Sequence, residues 1–162
     1  MLGFAVAIAL GWPAIAGADG DPTVPDNRLT PGAITTSDPA VVCRPGYSSQ
    51  HRLYESDRSA YDAMRKAVFA AYGVPWSEHN QRELDHRVPL ALGGADAIAN
   101  LWPEPLPPTP WNAVLKDQLE YRAVVAACYR HTITLSEAQA IFLGDWRIGY
   151  CRLIGGTVCA GR

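Results

Sequence analysis

Four cysteines constrain the fold of this 162-residue chain more than any other feature. They contain no Cys-x-x-Cys pair, which disfavours a zinc knuckle, and their even number predicts two disulfides. Several pairings are possible in principle. The shortest loop joins Cys151 to Cys159 across Gly155-Gly156, and this choice leaves Cys43 to pair with Cys128. Free buried thiols in a cytosolic protein are the alternative.

The first residues have the pattern of an export signal. Residues 1–18 carry no charged side chain, and an apolar run from Leu2 to Leu10 is followed by Pro13 and then by small residues. A buried N-terminal helix is the alternative. Residues 19–40 are rich in Gly, Pro, Asp and Thr, which predicts a flexible lead-in to a compact domain over residues 41–162. We therefore expect a secreted or cell-envelope protein.

Composition limits the classes of partner. Hydrophobic residues make up 48% of the chain and charged residues 19%, which is enough apolar material for one ordinary domain. The formal net charge of −2 disfavours a protein that wraps long stretches of nucleic acid. It does not exclude an enzyme that contacts a polyanion over a small area. Residues 1–18 are too short and too interrupted to span a membrane well. We expect a monomer with no membrane contact once the signal is removed.

Hydrophobic spacing predicts a mixed α+β fold with a short β-hairpin, additional helices and disulfide staples. The predicted elements are a helix over 56–72, short strands over 82–89 and 98–102, and helices over 111–129 and 134–150. Gly93-Gly94 supplies the turn between the strands, and Thr134 with Glu137 forms a capping box. The prolines from Pro103 to Pro110 are expected to exclude regular structure.

One segment has the residue types that hydrolysis of a phosphodiester needs. Such hydrolysis requires a base that activates water and a cation that neutralises charge on the phosphate. His86 is a suitable base, and Asp85 offers a hard oxygen to a divalent cation. Asn112 can offer a second oxygen, and the Asn100 amide can tie the loop that holds His86 in place.

The ordered motifs resemble those of the His-Asn-His (HNH) endonucleases. They are Asp85-His86, Pro89, Gly93-Gly94, Asn100-Leu101-Trp102-Pro103 and Lys116-Asp117-x-Leu119-Glu120. Together with Thr30-Pro31-Gly32-Ala33, they look like a group of exported bacterial HNH-like proteins, over about residues 30–151. The resemblance implies a ββα-metal fold, in which a short β-hairpin and a helix surround one metal ion.

The resemblance also implies roles for particular residues. Asp85 and Asn112 would hold the metal, with Asn112 at a position where many members have His. His86 would be the general base and Asn100 would orient it, while Arg87 and Lys116 would contact substrate. The metal would be Mg²⁺ or Mn²⁺, with Zn²⁺ as an alternative. The expected activity is hydrolysis of DNA, with RNA less favoured, and with little sequence specificity because no helix or finger for base reading is evident.

Other interpretations of the same residues stay open. The chain could be a catalytically inactive ββα module that binds nucleic acid or another polyanion, or a structural disulfide-bonded envelope protein. Asn112 could serve only as a helix cap, and Lys116 could lie on a solvated helix face. Neighbours on a strand point to opposite faces, so Asp85 and His86 can serve one phosphate only where the strand is distorted.

Overall fold

The computed structural model describes residues 20–52 and 57–160, so the predicted export signal over residues 1–18 lies outside the described residues. The architecture is α+β, as predicted. The α-helices are α1 (Pro39–Val42), α2 (Arg58–Ala71), α3 (Ala113–Val124), α4 (Leu135–Leu143) and α5 (Trp146–Leu153). The strands β1 (Arg82–His86) and β2 (Leu101–Pro105) lie between α2 and α3, and a π-helical turn over Val125–Tyr129 extends α3.

The two strands form an antiparallel sheet in which Leu84 is opposite Pro103 and His86 is opposite Leu101. The prediction that the prolines exclude regular structure was wrong at Pro103 and Pro105, which lie within β2, but it holds for Pro107, Pro108 and Pro110, which lie in turns and bends. Backbone hydrogen bonds join Leu106 N to Gln81 O at 3.0 Å and Arg87 N to Asn100 O at 2.7 Å. By alternation, the nitrogens of Pro103 and Pro105 face away from β1, where no N–H is needed.

Helix α2 covers one face of the sheet. Asp57 caps its first turn by accepting a hydrogen bond from Ala60 N, and Gly73 follows its end with a φ of 66°. The buried side chains of Val68 and Phe69 pack against the sheet residues Leu84 and Leu101. Helix α2 therefore fixes the sheet from the side opposite to α3.

The larger core lies between α3, α4 and α5 and contains Trp111, Phe142 and Trp146. The capping box of Thr134 and Glu137 is present at the start of α4. The predicted single helix over 134–150 is in fact two helices. Helix α4 ends at Leu143, Gly144 follows as its C-cap, and the Asp145 side chain accepts a hydrogen bond from Arg147 N and so begins α5.

The segment before α1 differs from the flexible lead-in that we expected, because residues 20–38 pack on the domain. Thr30 Oγ1 donates to Leu101 O at 2.7 Å, and Trp146 Nε1 donates to Thr23 O at 3.0 Å. Ile34 also forms an isolated β-bridge with Gly94. Tertiary hydrogen bonds of this kind order a segment that has no hydrophobic period of its own.

Both predicted disulfides are confirmed. Cys43 is bonded to Cys128, at the end of α1 and in the π-helical turn that follows α3, and Cys151 is bonded to Cys159. No helix in the described part of the chain is long and apolar enough to cross a bilayer. Paired cysteines of this kind are compatible with an extracellular protein.

The Cys43–Cys128 bond spans 85 residues, so its removal should cost more stability than removal of the eight-residue Cys151–Cys159 link. We expect Cys43→Ser to lower the free energy of unfolding by about 2–4 kcal/mol. Urea denaturation measures this loss, with Cys151→Ser as the matched control. A larger loss in the free energy of unfolding of the Cys151 variant would contradict the expectation that the longer bond stabilises the fold more.

Candidate active site

A cavity of about 280 Å³ lies beside β1. Four successive residues of β1, from Glu83 to His86, line it, together with Asp96 from the loop between the strands and Asp117 and Glu120 from α3. Successive residues of a strand point to opposite faces, so residues from both faces of β1 border the cavity, as expected at the unpaired edge of the strand. Asp85 and His86 therefore border the same space even though they are neighbours on a strand.

His86 is paired with a carboxylate inside this cavity. Its Nε2 lies 2.9 Å from Asp96 Oδ1, and the two side chains are only 17% and 12% exposed. A carboxylate only accepts hydrogen bonds, so a hydrogen bond to ionised Asp96 requires a proton on Nε2, and in the neutral ring Nδ1 is then the basic nitrogen. This arrangement fixes the ring and defines which nitrogen can take a proton.

Asn100 holds the loop that follows His86. Its side chain is fully buried and bonds to the backbone of Val88 twice, accepting from Val88 N at 2.9 Å and donating to Val88 O at 2.8 Å. The same amide donates to Ala95 O at 2.9 Å and accepts from Ala33 N at 3.4 Å. One side chain thus connects the loop residues on both sides of Gly93-Gly94 to the N-terminal segment.

Asp85 is bonded to a buried lysine. Lys116 of α3 is 1% exposed, and its Nζ donates to Asp85 Oδ2 and lies 3.8 Å from Glu104 Oε2. Burial opposes ionisation of Asp85, but the Lys116 ammonium outweighs this effect and lowers the Asp85 pKa to about 2. Burial raises the pKa of Glu104 well above its ordinary value, against the opposing effect of Lys116. The buried cluster of Asp85, Glu104 and Lys116 therefore carries little net charge.

The other carboxyl groups of the cavity repel one another. Burial, with the Asp85 carboxylate adding to it, raises the pKa of Glu83 and of Asp117. Burial also raises the pKa of Glu120 to about 7, against the opposing effect of Lys116. These groups would each be stabilised as carboxylates by an added cation.

The raised pKa of Glu120 makes folding stability depend on pH. Between pH 4.5 and about 7 the folded state binds more protons than the unfolded state, so the free energy of unfolding falls as the pH rises. Glu120→Gln removes this penalty, and we expect the variant to gain about 1–3 kcal/mol over the wild type at pH 8. Urea denaturation at both ends of the range measures the gain.

The same titration supplies an internal control for Glu120→Gln. At pH 4 the wild-type side chain is protonated in the folded state and mostly protonated in the unfolded state, so the two proteins should be nearly equal in stability. An equal gain at pH 4 and pH 8 would contradict the raised pKa.

The donor chemistry of the cavity fits a divalent cation such as Mg²⁺ or Mn²⁺. Glu83, Asp85, Asp117 and Glu120 offer hard carboxylate oxygens on two neighbouring elements, and three of these groups have a raised pKa. Within residues 20–52 and 57–160, no group of three His, Cys, Asp or Glu side chains forms a ready-made metal site. Ligation would therefore rely on rearranged carboxylates and on water, as is common for Mg²⁺.

The structure brings Asp85 and His86 together and places three other candidate residues elsewhere. Asn112 caps α3, since its Oδ1 accepts from Val114 N at 3.1 Å and its Nδ2 donates to Thr109 O at 2.5 Å. It is not among the described residues that line the cavity. Lys116 is buried beneath the cavity and is paired with Asp85, which leaves it no direct access to a substrate phosphate.

Arg87, which we expected to contact substrate, is buried in the domain interior at 4% exposure. Its guanidinium donates to Thr30 O at 2.7 Å, to Phe142 O at 3.2 Å and to Leu143 O. It also donates to Asn27 Oδ1 at 2.5 Å. Arg87 therefore joins the N-terminal segment to the end of α4 and has a structural position.

Sequence reasoning missed Asp96, Glu104 and the partial burial of Glu120. Asp96 follows Gly93-Gly94 closely, and an acidic residue in the loop after a candidate base is a signal that could have identified it. Glu104 stands between two prolines, where no strand was expected. Its register opposite Glu83 became apparent only with the pairing of β1 and β2.

Comparison of the chain with protein-family models, with curated proteins and with solved structures found no match.

Proposed function

We propose that this chain is an HNH-type endonuclease that hydrolyses phosphodiester bonds of DNA with the help of a divalent metal ion. The observation that carries the proposal is the His86–Asp96 pair in a carboxylate-lined cavity at the edge of a β-β-α unit. A positioned imidazole with a defined basic nitrogen is what general-base activation of water requires. The cavity supplies hard oxygens beside that base.

Each residue of the site has a separate role in the proposed hydrolysis. His86 Nδ1 takes the proton of the attacking water, and Asp96 holds the ring and stabilises the imidazolium that forms. Asn100 positions His86 by fixing the backbone of the loop that follows it. Asp85, with Glu83, Asp117 and Glu120, would hold Mg²⁺ or Mn²⁺, which when bound neutralises charge on the phosphate.

The proposal includes an exported, monomeric protein that acts on DNA in preference to RNA. The two disulfides support the exported location, because such bonds persist in oxidising compartments. The lack of an obvious base-reading helix in the sequence supports cleavage with little sequence preference.

One observation favours a second candidate, a catalytically inactive module that binds nucleic acid. Lys116 Nζ donates to Asp85 Oδ2, so one oxygen of a carboxylate that would hold the metal is already occupied by an ammonium group. An ammonium group in this position neutralises Asp85 without supplying a Lewis acid.

Cleavage of supercoiled plasmid by the purified, oxidised protein distinguishes the two candidates. We expect nicked and linear products with Mg²⁺ or Mn²⁺ and no products with EDTA, with Zn²⁺ tested in parallel. Binding of DNA without cleavage in every metal would reject the endonuclease and favour the inactive module. Neither binding nor cleavage would reject both.

A further inference from the structure

A second groove lies directly beside the cavity. It has a volume of about 380 Å³, and Tyr61, Glu83 and Leu84 line both spaces. Most of the remaining lining residues are basic, and they come from α2, from the 3₁₀-helix over Trp76–Gln81 and from β1, with Leu106 after β2 completing the groove. The basic residues that line it are Arg58, Arg65, His79 and Arg82. A basic groove is therefore continuous with an acidic cavity.

Two arginines of this groove carry charge that the described part of the chain does not neutralise. Arg65 Nη2 donates to His79 O at 2.9 Å, and Arg82 Nη1 lies 3.4 Å from Pro103 O. Neither guanidinium forms an ion pair with a carboxylate within residues 20–52 and 57–160. Arg28 and Arg147, in contrast, are each paired with aspartates.

Arg65 is also held in place. Its guanidinium carbon lies 5.4 Å from the ring centres of both Phe69 and Trp76, and Trp76 is stacked on His79 with ring centres 4.6 Å apart. Its Nε is buried and has no hydrogen-bond partner among the described residues. An arginine fixed against aromatic rings has already lost much of its side-chain freedom, so an incoming anion would have less ordering cost to overcome.

We propose that this groove binds the backbone phosphates of the DNA strand next to the bond that is cut, with Arg65 and Arg82 as the phosphate contacts. The inference rests on the proposed function and adds the surface that holds the DNA strand beyond the scissile phosphate. Guanidinium groups suit phosphate because their planar donors match its oxygens. A carboxylate-lined cavity in a protein of net charge −2 would otherwise repel DNA, and the groove offsets this locally.

Fluorescence anisotropy with a labelled duplex DNA in EDTA tests the groove without any cleavage. We expect the Arg65→Ala/Arg82→Ala double variant to bind about 10-fold or more weakly than the wild type. The slope of log affinity against log salt should fall by about 2, close to 0.9 for each phosphate that the variant no longer neutralises. Arg65→Lys/Arg82→Lys keeps the charge and should keep most of the slope.

The matched control is Arg122→Ala/Arg130→Ala, which removes two exposed arginines of the chain that do not line the groove. It should bind DNA as the wild type does. Equal binding by the groove variant, or an equal loss in the control, would overturn the proposal. If circular dichroism shows that the alanine variant does not fold, Arg65→Gln/Arg82→Gln carries the same test.

The outcome for this groove is separable from that for the endonuclease. If wild-type protein cuts plasmid and the groove variant cuts it with an unchanged KM, only the groove assignment fails. If the groove variant loses affinity in EDTA but wild-type protein cuts nothing, the groove stands and the endonuclease fails. We expect the KM of the groove variant to rise about 10-fold with kcat nearly unchanged, because its arginines bind ground state and transition state alike.

Discussion

We expect His86→Ala to lower the rate of DNA cleavage by about 10²–10⁴-fold, the range that loss of a general base usually costs. His86 is only partly buried and lines the cavity beside Asp96, so its truncation removes little core volume. The variant should therefore stay folded and should keep its affinity for DNA in EDTA. Plasmid cleavage at a fixed metal concentration, followed over time, measures the loss.

Two further variants control this experiment. Asp96→Asn keeps the size of the side chain but removes the charge that orients His86, and we expect a smaller loss than for His86→Ala. His131→Asn removes an exposed imidazole at the far end of the long helix, at a position with a φ of 51° that Asn tolerates. It should cleave as the wild type does. Undiminished cleavage by His86→Ala would refute the assignment of the base.

Replacement of the buried lysine should have the largest effect on stability. Lys116→Met keeps a similar length but leaves the Asp85 carboxylate, which is only 16% exposed, without its cation. Removal of one partner from a buried ion pair usually costs about 3–5 kcal/mol, because the remaining charge is not compensated. We expect a loss of this size in the free energy of unfolding, measured by urea denaturation at pH 7.

A double variant and a matched lysine test the reason for that loss. Asp85→Asn/Lys116→Met removes both charges and should recover part of the stability. Lys66→Met changes the only other lysine, which is exposed on α2, and should shift stability by no more than about 0.5 kcal/mol. A loss of the same size in Lys66→Met would contradict the special position of Lys116.

Short-range sequence patterns correctly predicted those elements that depend only on residues close together in the chain. The period of apolar residues predicted α2, the capping box predicted the start of α4, and the short loop between Cys151 and Cys159 predicted that disulfide. The extent of β2 was missed because prolines normally interrupt strands. Pro103 and Pro105 are tolerated here because their backbone nitrogens face away from β1, and only the strand register reveals this. The break at Gly144-Asp145 was missed because the apolar spacing continues across it.

At the candidate site, the sequence identified the residue types but not which side chains are buried. His86 and Asp85 were identified by residue type and order, and the structure places both at one cavity. The interior positions of Arg87 and Lys116 could not be inferred, because a basic residue is normally solvent-exposed and only tertiary packing buries it. The function predicted from the resemblance stays a prediction until cleavage is measured.

The bonding of Asn100 has a consequence for any genetic selection on this protein. Its amide satisfies backbone donors and acceptors at once, and Asp would place a second acceptor against the carbonyls of Val88 and Ala95. Gly94 packs so closely that a Cβ there would lie 1.9 Å from Val88 O and 3.0 Å from Asn100 Nδ2. A mutational scan would therefore score positions 94 and 100 as intolerant even in a protein with no chemistry to perform. Intolerance to substitution at these two positions reflects the packing of the loop. Whether His86 tolerates substitution is what distinguishes an active enzyme from an inactive module.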